Sequence, residues 1–437
     1  MVNYLKDKVC SCGKIHSADI YEVVTGANAI DRLGDFVSHF GAKKPFLLAD
    51  KNTFTAAGDK VCAVLDGSKI PYSSYIFQQE HLEPDEFAVG SAAMHFDTTC
   101  DLIIAIGSGV VNDIGKILSN ITGMKYIIVA TAPSMDGYAS ATSSMSMDGL
   151  KVSLPSRCAD VIIGDTEILK NAPEHMLKSG LGDILAKYIS IAEWRIAHII
   201  TGEYYCEQVA QLIRDTLKRC TENAEGLLNR EDCAVEAVFE GLVVSGIAMA
   251  YAGVSRPASG VEHYFSHIWD MRGLEFGTQI DLHGIQCAMA TLQTVKLYEQ
   301  VKKMEPDACA AREYVDQFSY EDWKTALRGF LGNSAETMIR QEEVEQKYDK
   351  STHPARLEKI IVNWDNIVQI LNEEIPTYQQ LADLLNKVGI STDLETIGVN
   401  SETAKLTFRA TKDIRDKYVL SRLAWDLGIL DQLCDLL

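Results

Sequence analysis

The chain has 437 residues, 47% apolar and 23% charged, which suits a globular enzyme with room for two or three cores. Lys and Arg number 41 against 61 Asp and Glu, a formal net charge of −20. That balance argues against a nucleic-acid surface and against an anionic membrane, while a few local cations can still hold a small anionic substrate in a cleft.

At the N-terminus the first ten residues are too charged for a signal peptide. Eleven cysteines without regular spacing read as reduced thiols of a cytoplasmic protein. Cys10-Ser11-Cys12 with His16 invites a metal reading. It lacks a second pair such as C-x-x-C, so a structural zinc site is not expected there.

Strands are predicted over 20–24, 45–49, 72–77, 102–106, 126–130 and 161–164, with helices between them, such as 29–40 and 86–96. Several of these strands are continuous apolar runs, as strands buried on both faces require. The alternation is that of a Rossmann-like, mostly parallel α/β domain. The apolar runs are of strand length, so no membrane span is expected.

After about residue 172 strand-like runs vanish. Helices are predicted over 182–200, 207–228, 235–252, 284–302 and 379–386. The expected organisation is an α/β dinucleotide-binding domain over 1–168 and an all-helical metal- and substrate-binding domain over 169–437. The active site is expected in the cleft between them. The charge-rich stretch 320–365 reads as a solvated helical insertion.

The loop Gly107-Ser108-Gly109-Val110-Val111-Asn112-Asp113 follows a strand and opens a helix. Its glycines allow a tight turn and close backbone approach to a pyrophosphate, which the helix N-terminus attracts. The third glycine of the Rossmann spacing is missing, and a plain strand-to-helix turn is the competing reading. Asp50, at the end of the second strand, suits a ribose diol or a helix N-cap; Lys51 beside it would instead suit a 2′-phosphate. The loop from Thr131 through Ala132, Pro133, Ser134 and Asp136 to Ser140 also follows a strand, where ligand crevices form, and is equally rich in ordinary turn residues.

Three of the ten histidines, His263, His267 and His283, lie within 21 positions. Asp183 is read as the first-turn residue of a long helix. An Asp with two His is a standard set for a catalytic divalent ion with open positions. Each residue alone also fits an ordinary core or helix-start role.

Taken together, Gly107-Ser108-Gly109, the stretch from Ala130 to Tyr138, Gly182-Asp183 and the stretch from Ser255 to His267 resemble the sn-glycerol-1-phosphate dehydrogenases. The bacterial AraM-like branch of the iron-containing alcohol dehydrogenase and dehydroquinate synthase superfamily is the nearest fit. The resemblance spans about residues 20–300. It implies reduction of dihydroxyacetone phosphate to sn-glycerol 1-phosphate with NAD or NADP, in phospholipid metabolism, by a homo-oligomer, expected as a homodimer.

The resemblance also implies the site. Asp183, His263 and His283 match the ligands of one divalent metal (zinc, nickel or iron), with Asp183 beside the substrate. Asp136 and His267 match catalytic and substrate contacts. Gly107, Gly109, Val110, Val111, Asn112, Asp113, Thr131, Ala132, Pro133, Ser134 and Ser140 match cofactor contacts, with Asp50 added from its position. Arg256 and Lys187 are the candidates for the substrate phosphate, with a salt bridge the competing reading for Arg256. Rival functions on the same fold are a glycerol or other polyol dehydrogenase and a dehydroquinate-synthase-like lyase. A non-enzymatic binding protein is a third, which the Asp183, His263 and His283 set disfavours.

Overall fold

The structure is a computed structural model that describes residues 9–147 and 150–437. It has two compact units. The first runs to Ile184 and includes Gln208–Val254; the second comprises Leu185–Glu207 and Ser255–Leu437.

The first unit is built on β1 (Glu22–Gly26), β2 (Pro45–Asp50), β3 (Ser73–Phe77), β4 (Leu102–Gly107) and β5 (Lys125–Ala130), with a hairpin of β6 (Thr142–Met147) and β7 (Leu150–Pro155), then β8 (Val161–Asp165). Six strands form one sheet in the order β1-β8-β5-β4-β2-β3, every pair parallel. One row runs across it through Leu48, Ala105, Ile128, Ile162 and Val23. Every residue of β4 and β8 is buried. Alternate residues Leu47, Ala49, Ile104, Ile106, Ile127, Val129, Val161 and Ile163 share one face with Leu33, Phe36, Val61 and Leu65 from the covering helices. The expected strands are therefore present, each within two residues of its expected ends.

The hairpin is an addition to the expectation. Its strands pair antiparallel from Thr142 opposite Pro155 to Met147 opposite Leu150. The Ser and Met run of β6 carries little apolar signal, whereas Leu150-Lys151-Val152-Ser153-Leu154 of β7 does alternate and was passed over.

The helices used below are α1 (Gly109–Thr122), α2 (Glu174–Leu185), α3 (Lys187–Thr201), α4 (Glu207–Glu222), α5 (Asp232–Ala252), α6 (Val261–Phe276) and α7 (His283–Val301). The helix expected over 182–200 is two helices, α2 and α3, interrupted at Ala186. Asp183 thus lies in the last turn of α2 and not in a first turn. The favourable dipole interaction expected there is absent, because a helix C-terminus is the negative end.

The texture change near residue 168 does not mark the edge of a compact unit. Helix α5 packs on β1 of the sheet, so 208–254 belongs with the first unit. Helix α5 is a longer apolar run than the strand-length runs read from the sequence. Among the described residues it is the one helix long and apolar enough to cross a bilayer, with a mean hydropathy of 1.7, yet 72% of that window is buried inside the protein. It is a core helix whose apolar surface is satisfied within the fold.

The second unit is helical throughout its described elements. The stretch 320–365 is not a solvated insertion. It buries Trp323, Phe330, Tyr348 and His353. Trp323 Nε1 donates to Asp413 Oδ2 at 3.1 Å, Lys412 Nζ donates to the same oxygen at 2.8 Å, and the Tyr348 hydroxyl donates to Asp413 Oδ1. Arg356 makes a two-point contact with Asp426 at 2.7 and 2.8 Å.

Asp413 therefore gathers three donors; Asp413→Ala orphans Trp323 Nε1 and the Tyr348 hydroxyl and leaves the buried Lys412 ammonium with only Arg409 O. The expected cost is about 3–5 kcal/mol in urea unfolding. Proteolysis should open first between residues 320 and 365. An unfolding midpoint equal to wild type would contradict this.

Candidate active site

Ligand crevices in open parallel sheets form outside the carboxyl ends of the strands where strand order reverses. Here that point lies between β2 and β4. Asp50 ends β2 and Gly107 ends β4. Ser108 is the N-cap of α1 but does not cap it with its side chain, so its hydroxyl does not occupy the first-turn N–H groups. Gly109 and Val110 are half-buried and Val111 is buried.

Asn112 and Asp113 face a different task. Asn112 is fully buried; its Nδ2 donates to Gly137 O at 3.2 Å and its Oδ1 accepts from the Tyr126 hydroxyl at 3.0 Å. Asp113 lies 2.7 Å from Lys116 Nζ and accepts from Ser144 N at 3.3 Å. Burial pushes the Asp113 carboxyl up, and Lys116 opposes that shift. The side chains of both residues hold neighbouring chain in place. Asp50 is also engaged locally: it is the N-cap of the turn at Lys51–Thr53, accepting from Thr53 N at 2.8 Å.

The loop after β5 is clamped from several sides. Thr131 N donates to Gly107 O at 3.1 Å, and Ala132 O accepts from the Tyr138 hydroxyl at 2.6 Å. Ser134 Oγ meets Ser108 Oγ at 2.5 Å, and Ser134 O accepts from Ser179 Oγ at 2.9 Å. Next to Ser179, a Cβ added at Gly180 would stand 1.8 Å from Pro133 O, so α2 approaches this loop as only glycine permits. Thr131, Ala132, Pro133 and Ser134 are all buried, and Ser140 Oγ pairs with Thr142 Oγ1 at 2.9 Å.

Lys116, which sequence reasoning passed over, completes the clamp. It is fully buried and donates to Gly137 O at 3.2 Å and Thr142 O at 2.5 Å. With Asn112 one turn earlier, it fixes the peptide next to Asp136. The signal available in the sequence was the i, i+4 spacing of two polar residues on an otherwise apolar helix face.

The product of this clamping is a carboxylate pair. Asp183 is fully buried, and its Oδ2 accepts from Asp136 N at 2.9 Å. Asp136 Oδ2 accepts from Ser245 Oγ of α5 at 2.8 Å. Each carboxylate has an oxygen within 4.8 Å of the other. Two carboxylates this close, one of them dry and at the negative end of α2, favour a cation.

In the second unit α6 and α7 bring the histidines together. The His263 and His283 rings are 5.1 Å apart, and His267 stacks on His283 at 5.9 Å. Cys287, one turn after His283 and unnoticed in the sequence, lies with its Sγ 3.6 Å from His283 Nε2. Burial pushes the Cys287 thiol up, and the two imidazoles more than offset this, leaving it below its ordinary value. His263 Nδ1 pairs with Glu262 Oε1 at 2.7 Å and His283 Nδ1 with Ser266 Oγ at 2.9 Å. Contacts at Nδ1 of this kind orient a ligating imidazole and leave Nε2 for a metal. Glu193, fully buried, supports the start of α6 by accepting from Val261 N at 2.9 Å and also accepts from Leu420 N at 2.8 Å. Burial, then the charge of Glu262, pushes the Glu193 carboxyl up.

Arg256 has the geometry of a scaffold. It is buried, with Nε 2.6 Å and Nη2 2.9 Å from the two carboxylate oxygens of Glu203, and Nη1 donates to Tyr418 O at 2.9 Å. Its fork is already filled. Lys187 is buried at the start of α3. The cation that sequence reasoning missed is Lys417, whose Nζ donates to Ser259 O at 2.7 Å. Burial pushes its ammonium down to about 7, and the charges of Arg256 and Arg415 push the same way.

Comparison with known proteins agrees with this layout. The family described as iron-containing alcohol dehydrogenase matches residues 24–173. The chain is 32% identical over 302 residues to a glycerol-1-phosphate dehydrogenase (NAD(P)+) of Halalkalibacterium halodurans, covering 68% of this chain and 76% of that protein. It is 27% identical to one from Geobacillus stearothermophilus over 410 residues, covering 93% and 92%. In fold it is similar to the glycerol dehydrogenase of Schizosaccharomyces pombe, with a TM-score of 0.61 and 17% identity over 95% of this chain and 90% of that one.

The clamp at Lys116 is testable without any ligand. Lys116→Met should cost about 3–5 kcal/mol in urea unfolding, because Asp113 loses its buried counter-charge. Adding Asp113→Leu should recover much of that loss. Equal stability of the single and double variants would contradict the role.

Proposed function

The chain belongs to the glycerol-1-phosphate dehydrogenase family, and we propose that it reduces dihydroxyacetone phosphate to sn-glycerol 1-phosphate, reversibly, with NADH or NADPH and one divalent ion. The observation that carries the metal is the pair of donor sets: Asp183 beside Asp136, and His263 beside His283. Carboxylate and imidazole donors with oriented rings fit zinc, nickel or iron. In this reading Asp183, His263 and His283 hold the ion.

When bound, the ion supplies Lewis acidity toward the C2 carbonyl oxygen, and the dinucleotide supplies the hydride. The chain's own residues do the rest. The first-turn N–H groups of α1, from Gly109 to Val111, receive the pyrophosphate. Asp50 meets the adenosine ribose from the end of β2. Thr131, Ala132, Pro133, Ser134 and Ser140 shape the nicotinamide side. Asn112 and Asp113 serve by holding the loop and not by touching the cofactor. Asp136 accepts a substrate hydroxyl and sets the orientation of the carbonyl. His267 passes a proton to the C2 oxygen as the alcohol forms.

Lys417 meets the phosphate in place of Arg256, whose role is to position the chain around Ser259. The supporting observation is the crowding of Lys417 by Arg256 and Arg415, which an anion relieves. Lys187 provides a further cation at the base of α3.

The test of the reaction is NADH or NADPH oxidation with dihydroxyacetone phosphate after chelation and add-back of zinc, nickel or iron. Turnover is expected only with metal restored, and no turnover with any metal would overturn the proposal. Lys417→Met should raise KM for dihydroxyacetone phosphate about 10–100-fold, the worth of one charge-assisted contact, and leave unphosphorylated dihydroxyacetone unchanged. Because Lys417 is cationic below about pH 7 and neutral above it, kcat/KM for the phosphorylated substrate should fall as pH rises through 7. Lys417→Arg should abolish that fall. A profile shared by wild type and Lys417→Arg would remove Lys417 from the phosphate site.

A further inference from the structure

Cys10, Cys12 and His16 were set aside above for want of a second cysteine pair. The structure assembles them. Residues 9–16 double back on themselves: Val9 bridges Ile15, Cys10 N donates to Lys14 O at 2.9 Å, and Gly13 N donates to Cys10 O at 2.9 Å. Gly13 has φ +85°, a left-handed conformation that glycine adopts without penalty. The turn presents Cys10 and Cys12 to the same side as His16, and one ligand atom from each of the three lies within 4.8 Å of the others.

The histidine is set as a ligand. His16 is fully buried, and its Nδ1 lies 2.8 Å from Tyr251 O at the end of α5. A carbonyl only accepts, so Nδ1 carries the proton and Nε2 of the neutral ring keeps its lone pair. Nε2 points to Cys12 Sγ at 3.5 Å. For zinc with Zn–S of about 2.3 Å and Zn–N of about 2.05 Å, tetrahedral geometry puts the two donor atoms about 3.5 Å apart.

The fourth ligand follows from chain connectivity. Cys10 Sγ donates to Gln208 Oε1 at 3.2 Å. Cys206 precedes Gln208 by two residues, a span of at most about 7 Å, and its thiol is buried. We propose that Cys10, Cys12, His16 and Cys206 form a closed structural zinc site, separate from the Asp183, His263 and His283 set and independent of the reaction assigned to it. On binding, the three thiols release their protons to solvent and the site carries one net negative charge. Lys14, whose Nζ lies 3.5 Å from Ala252 O, stands beside it as a cation. The zinc pins the N-terminal turn to the end of α5 and the start of α4. Closing a loop of nearly two hundred residues in this way restricts the unfolded chain.

The test uses the full chain, with Cys287→Ala as background so that Cys287 contributes no thiolate signal. Metal analysis should find one zinc equivalent that Cys12→Ser and His16→Gln each lose. Cobalt substitution should give intense thiolate-to-cobalt charge-transfer absorption that disappears in Cys12→Ser. The zinc absorption edge should show a sulfur-dominated shell with one nitrogen. Where the variants fail to fold, the cobalt spectrum of the Cys287→Ala chain decides by itself. Absence of the charge-transfer band, or its persistence together with the zinc equivalent in Cys12→Ser, would overturn the proposal. Neither readout depends on turnover.

Discussion

A single hydrogen bond carries much of the site: Asp183 Oδ2 accepting the backbone N–H of Asp136 at 2.9 Å. Asp183 is a fully buried carboxylate in the last turn of a helix. Desolvation and the helix dipole both act against its charge. The chain answers by bringing a backbone donor to it, and bringing that donor requires the whole loop after β5 to be held. Lys116 and Asn112 grip Gly137, Ser179 grips Ser134, Gly180 lets α2 come close, and Ser245 grips Asp136 itself. Two carboxylates this close also favour a cation beside them. In the proposed reading a catalytic metal completes an electrostatic arrangement that the backbone begins.

In the proposed function the roles given to each unit follow from what each kind of structure can hold. A parallel sheet presents loops at one edge, and these suit a long anionic cofactor that must be met by backbone N–H groups. Helices present side chains at i, i+4 spacing, and these suit metal and proton chemistry. His263 and His267 on α6 and His283 and Cys287 on α7 show that spacing directly. Supporting contacts at Nδ1 from Glu262 and Ser266 orient two of the rings, so the geometry is set before any ligand arrives.

Much of this was legible in the sequence, and the misses share a cause. The sheet strands showed as apolar runs because burial on both faces leaves no polar position in them. The candidate histidines stood out because three of them cluster at 263–283, and Asp183 was matched to them by the family resemblance. What did not show depends on contacts distant in sequence. The break at Ala186 is invisible to helical periodicity, so Asp183 was placed at the wrong end of a helix. Arg256 looked like an open phosphate fork until Glu203, 53 positions earlier, was found filling it. Lys116 draws its meaning from two carbonyls more than twenty residues on. Lys417 sits in a part of the chain without a motif. For Cys10 and Cys12 no second pair shows in the sequence, because the proposed fourth ligand, Cys206, lies nearly two hundred residues away.

The central claim is that Asp183, His263 and His283 hold one divalent ion. Its most direct test is an anomalous-difference map from crystals grown with zinc or nickel. The account predicts one peak about 2.0–2.2 Å from a carboxylate oxygen of Asp183 and from Nε2 of both His263 and His283. A peak bound by His263, His283 and Cys287 with Asp183 remote from it would contradict the account.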